Sequence, residues 1–250
     1  MPTENQVEKM LSSTESSPRT NASMFTEKIH PGRWTIGGAS ASGKSRAFIK
    51  FLCTYGCGAT GYGSGLYDIV IWCCPTRSLN QGSMSVLKKI WKEFLYIVPC
   101  DNGQLDVLKL QQLIQTSRDN KYEAMVVFDD LLNLHKHPFI TDLYVSGRHD
   151  RCSVATIGQS LFVGARTARI NSTIFWVFAL GERRQFAELA DRLTSNRERG
   201  DLLKNAYESI ISRNDYGSIF INLACKSTPE LPLRTRDSAL NKLIPQLWKL

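Results

Sequence analysis

A chain of 250 residues, 42% hydrophobic and 10% aromatic, can build one substantial core with a small appendage, but not two full domains. No apolar run approaches the ~20 residues that a membrane-spanning helix needs, whereas the net charge of +8 favours an anionic partner such as nucleic acid. Seven irregularly spaced cysteines form no disulfide framework and are expected to be reduced, intracellular thiols.

Residues 1–24 are rich in Ser, Thr, Glu and Asn with almost no apolar periodicity, which predicts a disordered polar arm and not a signal peptide. From Trp34 the pattern predicts strands alternating with helices, hence an α/β domain over 25–225 with a mostly parallel sheet covered on both faces. A short strand at 33–37 enters a glycine-rich loop, and a helix follows over 44–55. Cys53 and Cys57 could open a metal site, but no second pair stands at zinc spacing. Five glycines between Gly56 and Gly65 predict a flexible connection. Residues 67–74 read as a buried parallel strand. Helical periodicity then covers 83–95 and 105–118, strands 124–128, 153–157 and 173–180, and helices 184–195 and 199–212. A last strand is expected at 218–224, before a basic, proline-punctuated tail over 226–250. From residue 147 onward sixteen Lys and Arg face ten Asp and Glu, and twelve of the sixteen are Arg, the side chain suited to forked contacts with phosphate.

The segment Gly38-Ala39-Ser40-Ala41-Ser42-Gly43-Lys44-Ser45 fits G-x-x-x-x-G-K-[ST] without gaps. Its glycines let the backbone curl so that several N–H groups point at phosphate, and the helix opening at Lys44 adds its positive end. Lys44 places a compact charge on the β- and γ-phosphates, and the Ser45 hydroxyl is a Mg²⁺ ligand. A chance glycine turn would not sit between a strand and a helix. Downstream, Met125-Val-Val-Phe-Asp129-Asp130 is an apolar strand ending in two carboxylates. Asp129 is placed to hold Mg²⁺ through water and Asp130 to polarise the attacking water; the alternative is that the pair caps the following turn. A complete strand, 67–74, separates the two motifs in sequence. An acidic pair of this kind accompanies a strand inserted spatially between the phosphate-loop strand and the acidic strand. The strand at 153–157 ends in Gly158-Gln159-Ser160 and offers an amide beside the γ-phosphate, as in motors of the additional-strand type.

With these residues in place the chain resembles the FtsK–HerA superfamily, and within it the genome-packaging ATPases of poxviruses, other large DNA viruses, virophages and polinton-like elements. Besides the phosphate loop and Val127–Leu131, the resemblance is carried by Ser146-Gly-Arg-His149, Ser153–Ser160, Arg169-Ile-Asn171 and Ser212-Arg-Asn214, and it spans roughly residues 34 to 224. It implies a P-loop fold of the additional-strand type, with ATP and Mg²⁺ bound and ATP hydrolysed. It implies Gln159 as the sensor of γ-phosphate state and Arg169 as an arginine finger reaching a neighbour's site. Arg148 and Arg166 are other finger candidates, and His149 would orient groups near the acidic pair. Ala41 stands where many relatives have Gly. The implied partners are double-stranded DNA gripped without regard to sequence, further copies in a pentameric or hexameric ring, and a capsid protein or vertex, with no membrane. The implied place is the site of virion assembly inside the host cell. Two other functions are weighed: a nucleotide or metabolite kinase, opposed by the intervening strand and Gln159, and a nucleotide-gated adaptor without turnover, opposed by the presence of both aspartates.

Overall fold

The computed structural model describes residues 30–56, 65–101, 104–131, 137–162, 164–194, 197–213 and 216–223, with the backbone alone at 54, 55, 213, 233–237 and 242–244. The arm 1–24, Cys57, Asn214 and most of the tail lie outside the described residues. One ten-stranded sheet runs through the molecule. Its strands are β1 (Arg33–Gly37), β2 (Ile69–Cys74), β3 (Leu95–Asp101), β4 (Gln104–Leu105), β5 (Ala124–Asp129), β6 (Cys152–Gly158), β7 (Ile174–Phe178), β8 (Ser218–Asn222), β9 (Leu233–Asp237) and β10 (Lys242–Ile244). They lie in the order β10-β9-β8-β7-β1-β6-β5-β2-β3-β4. The six strands from β7 to β3 are mutually parallel, while β8, β9 and β10 on one side and β4 on the other join antiparallel. The fold is therefore α/β with a mostly parallel central sheet, as the alternating pattern predicts.

Among the described residues seven α-helices cover the sheet: α1 (Lys44–Phe51), α2 (Gly82–Trp91), α3 (Val107–Asp119), α4 (Pro138–Ser146), α5 (Arg166–Asn171), α6 (Arg183–Leu193) and α7 (Arg197–Arg213). Successive strand residues point to opposite faces, and the core divides accordingly. Trp34, Ile36, Trp72, Val127, Ile157, Trp176 and Phe220 pack against Phe48 and Phe51 of α1 and Leu87 and Trp91 of α2. On the other face Ile71, Val98, Val126 and Val154 meet Leu110 of α3 and Ile140 and Tyr144 of α4. That layer continues where Phe175, Val177, Ile219 and Ile221 meet Phe186 of α6 and Leu203 and Tyr207 of α7. None of the helices, among the described residues, is long and apolar enough to cross a membrane.

The structure departs from the sequence reading in several places, and α5 is one of them, since no helix is expected at Arg166–Asn171. The helix expected over 83–95 stops at Trp91, because Lys92 turns out of the helix at φ 44, and Leu95–Asp101 forms β3. Helix α4 stands where no helix is expected, with Pro138 at its start and His137 Nδ1 accepting the Phe139 N–H at 3.2 Å. Strands β9 and β10 lie within the tail, so β8 is not the last strand. A strand does lie spatially between β1 and β5, as the acidic pair predicts: it is β6, while β2, which separates them in sequence, lies on the far side of β5.

Candidate nucleotide site

In a parallel sheet the loops at the carboxyl ends of neighbouring strands converge. β1 ends at Gly37, and the next residues are tied to strands on both sides. The Gly38 N–H donates to the Gly158 carbonyl at 3.3 Å and the Ala39 N–H to the Ala179 carbonyl at 2.6 Å. A Cβ at Gly38 would lie 2.7 Å from Phe178 Cβ and 2.8 Å from Ser42 Oγ, so the loop needs glycine there for close approach. Gly43 has φ 86, and the exposed ring of Tyr216 stands against it. Ala41 also takes a positive φ, 60, a left-handed conformation that costs a residue with a Cβ about 1–2 kcal/mol.

These constraints open a cleft of about 310 Å³ that Ser40, Ala41, Gly43, Lys44 and Ser45 share with Asp129, Asp130, Gly158 and Gln159. Ser45 Oγ donates to Asp129 Oδ1 at 2.8 Å, joining the two motifs across 84 residues of sequence. Burial pushes the Asp129 carboxyl up to about 6; the Ser45 hydrogen bond and Lys44 oppose that shift, and the Asp130 charge adds to it. Lys44 is itself buried, and its Nζ donates to the Ala39 carbonyl at 2.7 Å and Ser42 Oγ at 3.4 Å. Desolvation pulls its ammonium below the ordinary value against the attraction of Asp129 and Asp130. A buried ammonium bonded to neutral oxygens has the chemistry to take up phosphate, and a buried carboxylate paired with a hydroxyl that to hold a divalent cation. The residues present fit both groups.

Asp130 lies just beyond β5 at φ 53, its N–H donating to the Ile157 carbonyl at 3.1 Å. Its carboxylate is half-exposed and 3.6 Å from Arg77 Nη2. The turn after β2 supplies a wall that sequence reasoning missed: Ser78, Gln81 and Ser83 line the cleft. Sequence spacing carried no signal for it: the wall follows from the strand order, in which β2 lies beside β5 and its carboxyl end approaches Asp130. Exposed Gln159 lines the cleft, as expected of a residue ending β6.

Three sequence-predicted residues lie elsewhere. Arg148 and His149 sit in the turn Gly147–Asp150 ahead of β6, at the amino end of a strand roughly 20 Å long, so His149 does not reach the acidic pair of its own chain. Arg148 Nε donates to His149 Nε2 at 3.3 Å. Arg169 does not line the cleft. Its Nη1 donates to the carbonyls of Phe162 at 2.9 Å and Gly164 at 3.2 Å, and its guanidinium lies 5.4 Å from the Phe162 ring centre. Arg192 lies at the same distance from that ring, so Phe162 carries two guanidinium groups.

A glycine-rich phosphate loop, an acidic pair on the strand two places away and a third strand between them define a P-loop nucleoside triphosphatase fold of the additional-strand type. The chain matches no protein-family model and no curated protein. Among solved structures it is similar to the DNA-packaging ATPase B204 of Sulfolobus turreted icosahedral virus, with TM-score 0.54 and 14% identity over 77% of this chain and 93% of that one. It is also similar to the genome-packaging NTPase B204 of Sulfolobus turreted icosahedral virus 2. The form solved with ATP-γS aligns at TM-score 0.53 and 14% identity, over 83% of this chain and 97% of that one. The AMPPCP complex aligns at TM-score 0.53 and 13% identity, with the same coverage. At such identities the likeness is one of fold: this chain is built as those viral packaging NTPases are.

Proposed function

We propose that this protein is an ATP-driven translocase that packages double-stranded viral DNA into a preformed capsid, hydrolysing ATP to ADP and phosphate. The observation that carries the reading is the convergence of Lys44, Ser45, Asp129, Asp130 and Gln159 on one cleft. The shared fold of a DNA-packaging ATPase supports it. The loop N–H groups of Ser40, Ala41, Gly43, Lys44 and Ser45 cradle the phosphates, and Lys44 exchanges the Ala39 carbonyl for β- and γ-phosphate oxygens. Ser45 and Asp129 are the residues to hold Mg²⁺, which when bound neutralises charge on those oxygens. Asp130 leaves its ion pair with Arg77 to accept a proton from the attacking water. Gln159 contacts the γ-phosphate and registers its loss. The cations that follow residue 147 grip the DNA backbone, contacts that hold without reading sequence. Copies assemble as a pentameric or hexameric ring at a capsid vertex, at the site of virion assembly, and Arg169 of each completes its neighbour's site.

The test is ATP turnover by the purified protein with and without double-stranded DNA. Turnover stimulated by duplexes of any sequence, with DNA affinity that falls steeply as salt rises, is the expected result. No turnover at all refutes the enzyme. Turnover indifferent to DNA refutes the translocase.

A further inference from the structure

The nucleotide cleft is fastened to the α6–α7 pair at two points, and one of them holds the loop that carries Gln159. Beyond Gln159 the chain makes a tight turn in which the Phe162 N–H donates to Ser160 Oγ at 3.0 Å. Besides Arg169, which holds the Phe162 carbonyl, that turn is gripped from outside at Ser160 and Leu161 by a side chain in the first turn of α6. Gln185 Oε1 accepts from Ser160 Oγ at 2.8 Å and from the Leu161 N–H at 3.0 Å. The carboxamide is oriented in turn by Glu182, whose Oε2 accepts from Gln185 Nε2 at 3.3 Å. Leu161 is buried against Gly37, where an added Cβ would come within 2.6 Å of Leu161 Cδ2, so the turn is wedged against the strand feeding the phosphate loop. The second fastening is Tyr207 of α7. It stacks on Phe186 with ring centres 3.9 Å apart, and its hydroxyl donates to the Phe178 carbonyl at 2.9 Å and accepts the Leu180 N–H at 3.0 Å. The Ala179 carbonyl between those residues accepts the Ala39 N–H.

We infer that Gln185 is a positioning residue for hydrolysis: it sets the Gln159 loop against the γ-phosphate position and ties that loop's state to α6 and α7. Gln159 is exposed, so burial does little to fix it and its placement leans on the two residues that follow. Both spend a donor on the same Gln185 oxygen. Movement of Gln159 toward or away from phosphate therefore strains or relaxes the bonds to α6. The inference rests on the ATPase reading above and names no new contact with substrate.

The experiment is a double-mutant cycle on the full chain, with nucleotide affinity measured beside turnover. Gln185→Ala is expected to lower kcat about 10- to 100-fold, the cost of a misplaced catalytic group, with ATP affinity unchanged within about threefold. Gln185→Glu combined with Glu182→Gln keeps the accepting oxygen and restores a donor–acceptor pair between the two positions, and should retain most of the wild-type kcat. Gln185→Ala added to Gln159→Ala should cost nothing further, because a residue acting through Gln159 has nothing left to position. Losses that multiply when Gln185→Ala is added to Gln159→Ala, a kcat unchanged in Gln185→Ala, or a Gln185→Glu/Glu182→Gln swap as slow as Gln185→Ala would each overturn the assignment. Equal loss of affinity and turnover in Gln185→Ala would show general collapse of the cleft and also overturn it. Absence of turnover in the wild type would instead remove the ATPase reading, and this inference with it.

Discussion

Replacing Tyr207 by Phe deletes one oxygen atom while leaving the ring on Phe186, so its cost can be worked from the two bonds that oxygen makes. It donates to the Phe178 carbonyl and accepts the Leu180 N–H, at 2.9 and 3.0 Å. A buried polar group stripped of its partner costs about 1–3 kcal/mol. Phe178 is fully buried and its carbonyl pays most of that range, whereas half-buried Leu180 recovers part of its loss from solvent. The sum is roughly 2 kcal/mol. In a chain of this size each kcal/mol moves the melting temperature by about 2–4 °C, so Tyr207→Phe should melt about 4–8 °C below the wild type. Burial pushes the Tyr207 hydroxyl up to about 12, against the backbone hydrogen bond, so it stays protonated and the deficit should be constant from about pH 6 to pH 9. Thermal melts followed by circular dichroism at several pH values measure both. A variant that melts with the wild type, or a deficit that drifts with pH, would refute the assignment of this hydroxyl as the tether at the end of β7.

Asp130→Asn should bind ATP and hydrolyse it about 10²–10⁴-fold more slowly, the range for a lost general base; isothermal binding beside steady-state turnover separates the two effects. Glu123 is pushed up by burial, but hydrogen bonds and charge from His30 and Arg151 outweigh that and hold it at about 2 against an ordinary 4.5. Because the folded value is depressed, its stabilisation is present above about pH 4.5 and is lost as pH falls toward 2. The wild type should therefore exceed Glu123→Gln by roughly 2 kcal/mol at neutral pH, allowing for partial exposure. Urea unfolding at a series of pH values should show that gap closing in acid, and a gap constant throughout would contradict the ion-pair account. Arg169→Ala mixed with Lys44→Ala should recover turnover that neither variant shows alone, if Arg169 acts on a neighbouring copy; co-assembled variants that stay inactive would leave Arg169 as the clamp of the 162–164 turn.

Much of the site could be read because phosphate binding needs specific residues at fixed spacing. Gly38, Gly43, Lys44, Ser45, Asp129 and Gln159 all line or frame one cleft, as their positions at strand ends require. Strands β2, β5 and β6 could be read for a similar reason, since parallel strands buried on both faces are unbroken apolar runs. What escaped notice was set by tertiary context. β3 contains Pro99, which argues against a strand in sequence; only β4 flanks its outer side, pairing at Cys100 and Asp101, so the missing N–H breaks no ladder there. The helix before β3 ends at Lys92, with no glycine to mark the stop. Gln185 and Tyr207 belong to no motif: their role comes from side chains crossing between elements distant in sequence, which spacing along one chain does not encode. Arg169 was legible as a cation before β7, but its bonds to two backbone carbonyls were not.

Four of the five tryptophans, Trp34, Trp72, Trp91 and Trp176, are at most 1% exposed. Trp34, Trp72 and Trp176 stand on the face of the sheet that α1 and α2 cover, and Trp91 of α2 packs into the same cluster. Phe48 of α1 meets Trp34 edge-on at 5.5 Å, and Phe51 touches Trp34 at 5.1 Å and Trp176 at 6.3 Å. The helix whose first residue is the phosphate-loop lysine is thus seated on indole rings. Indoles in so apolar a setting emit at the blue end of their range, and their intensity responds to movement of the rings around them. The protein carries its own optical probe of this loop, and any displacement of α1 when nucleotide is added would be read by intrinsic fluorescence without a label.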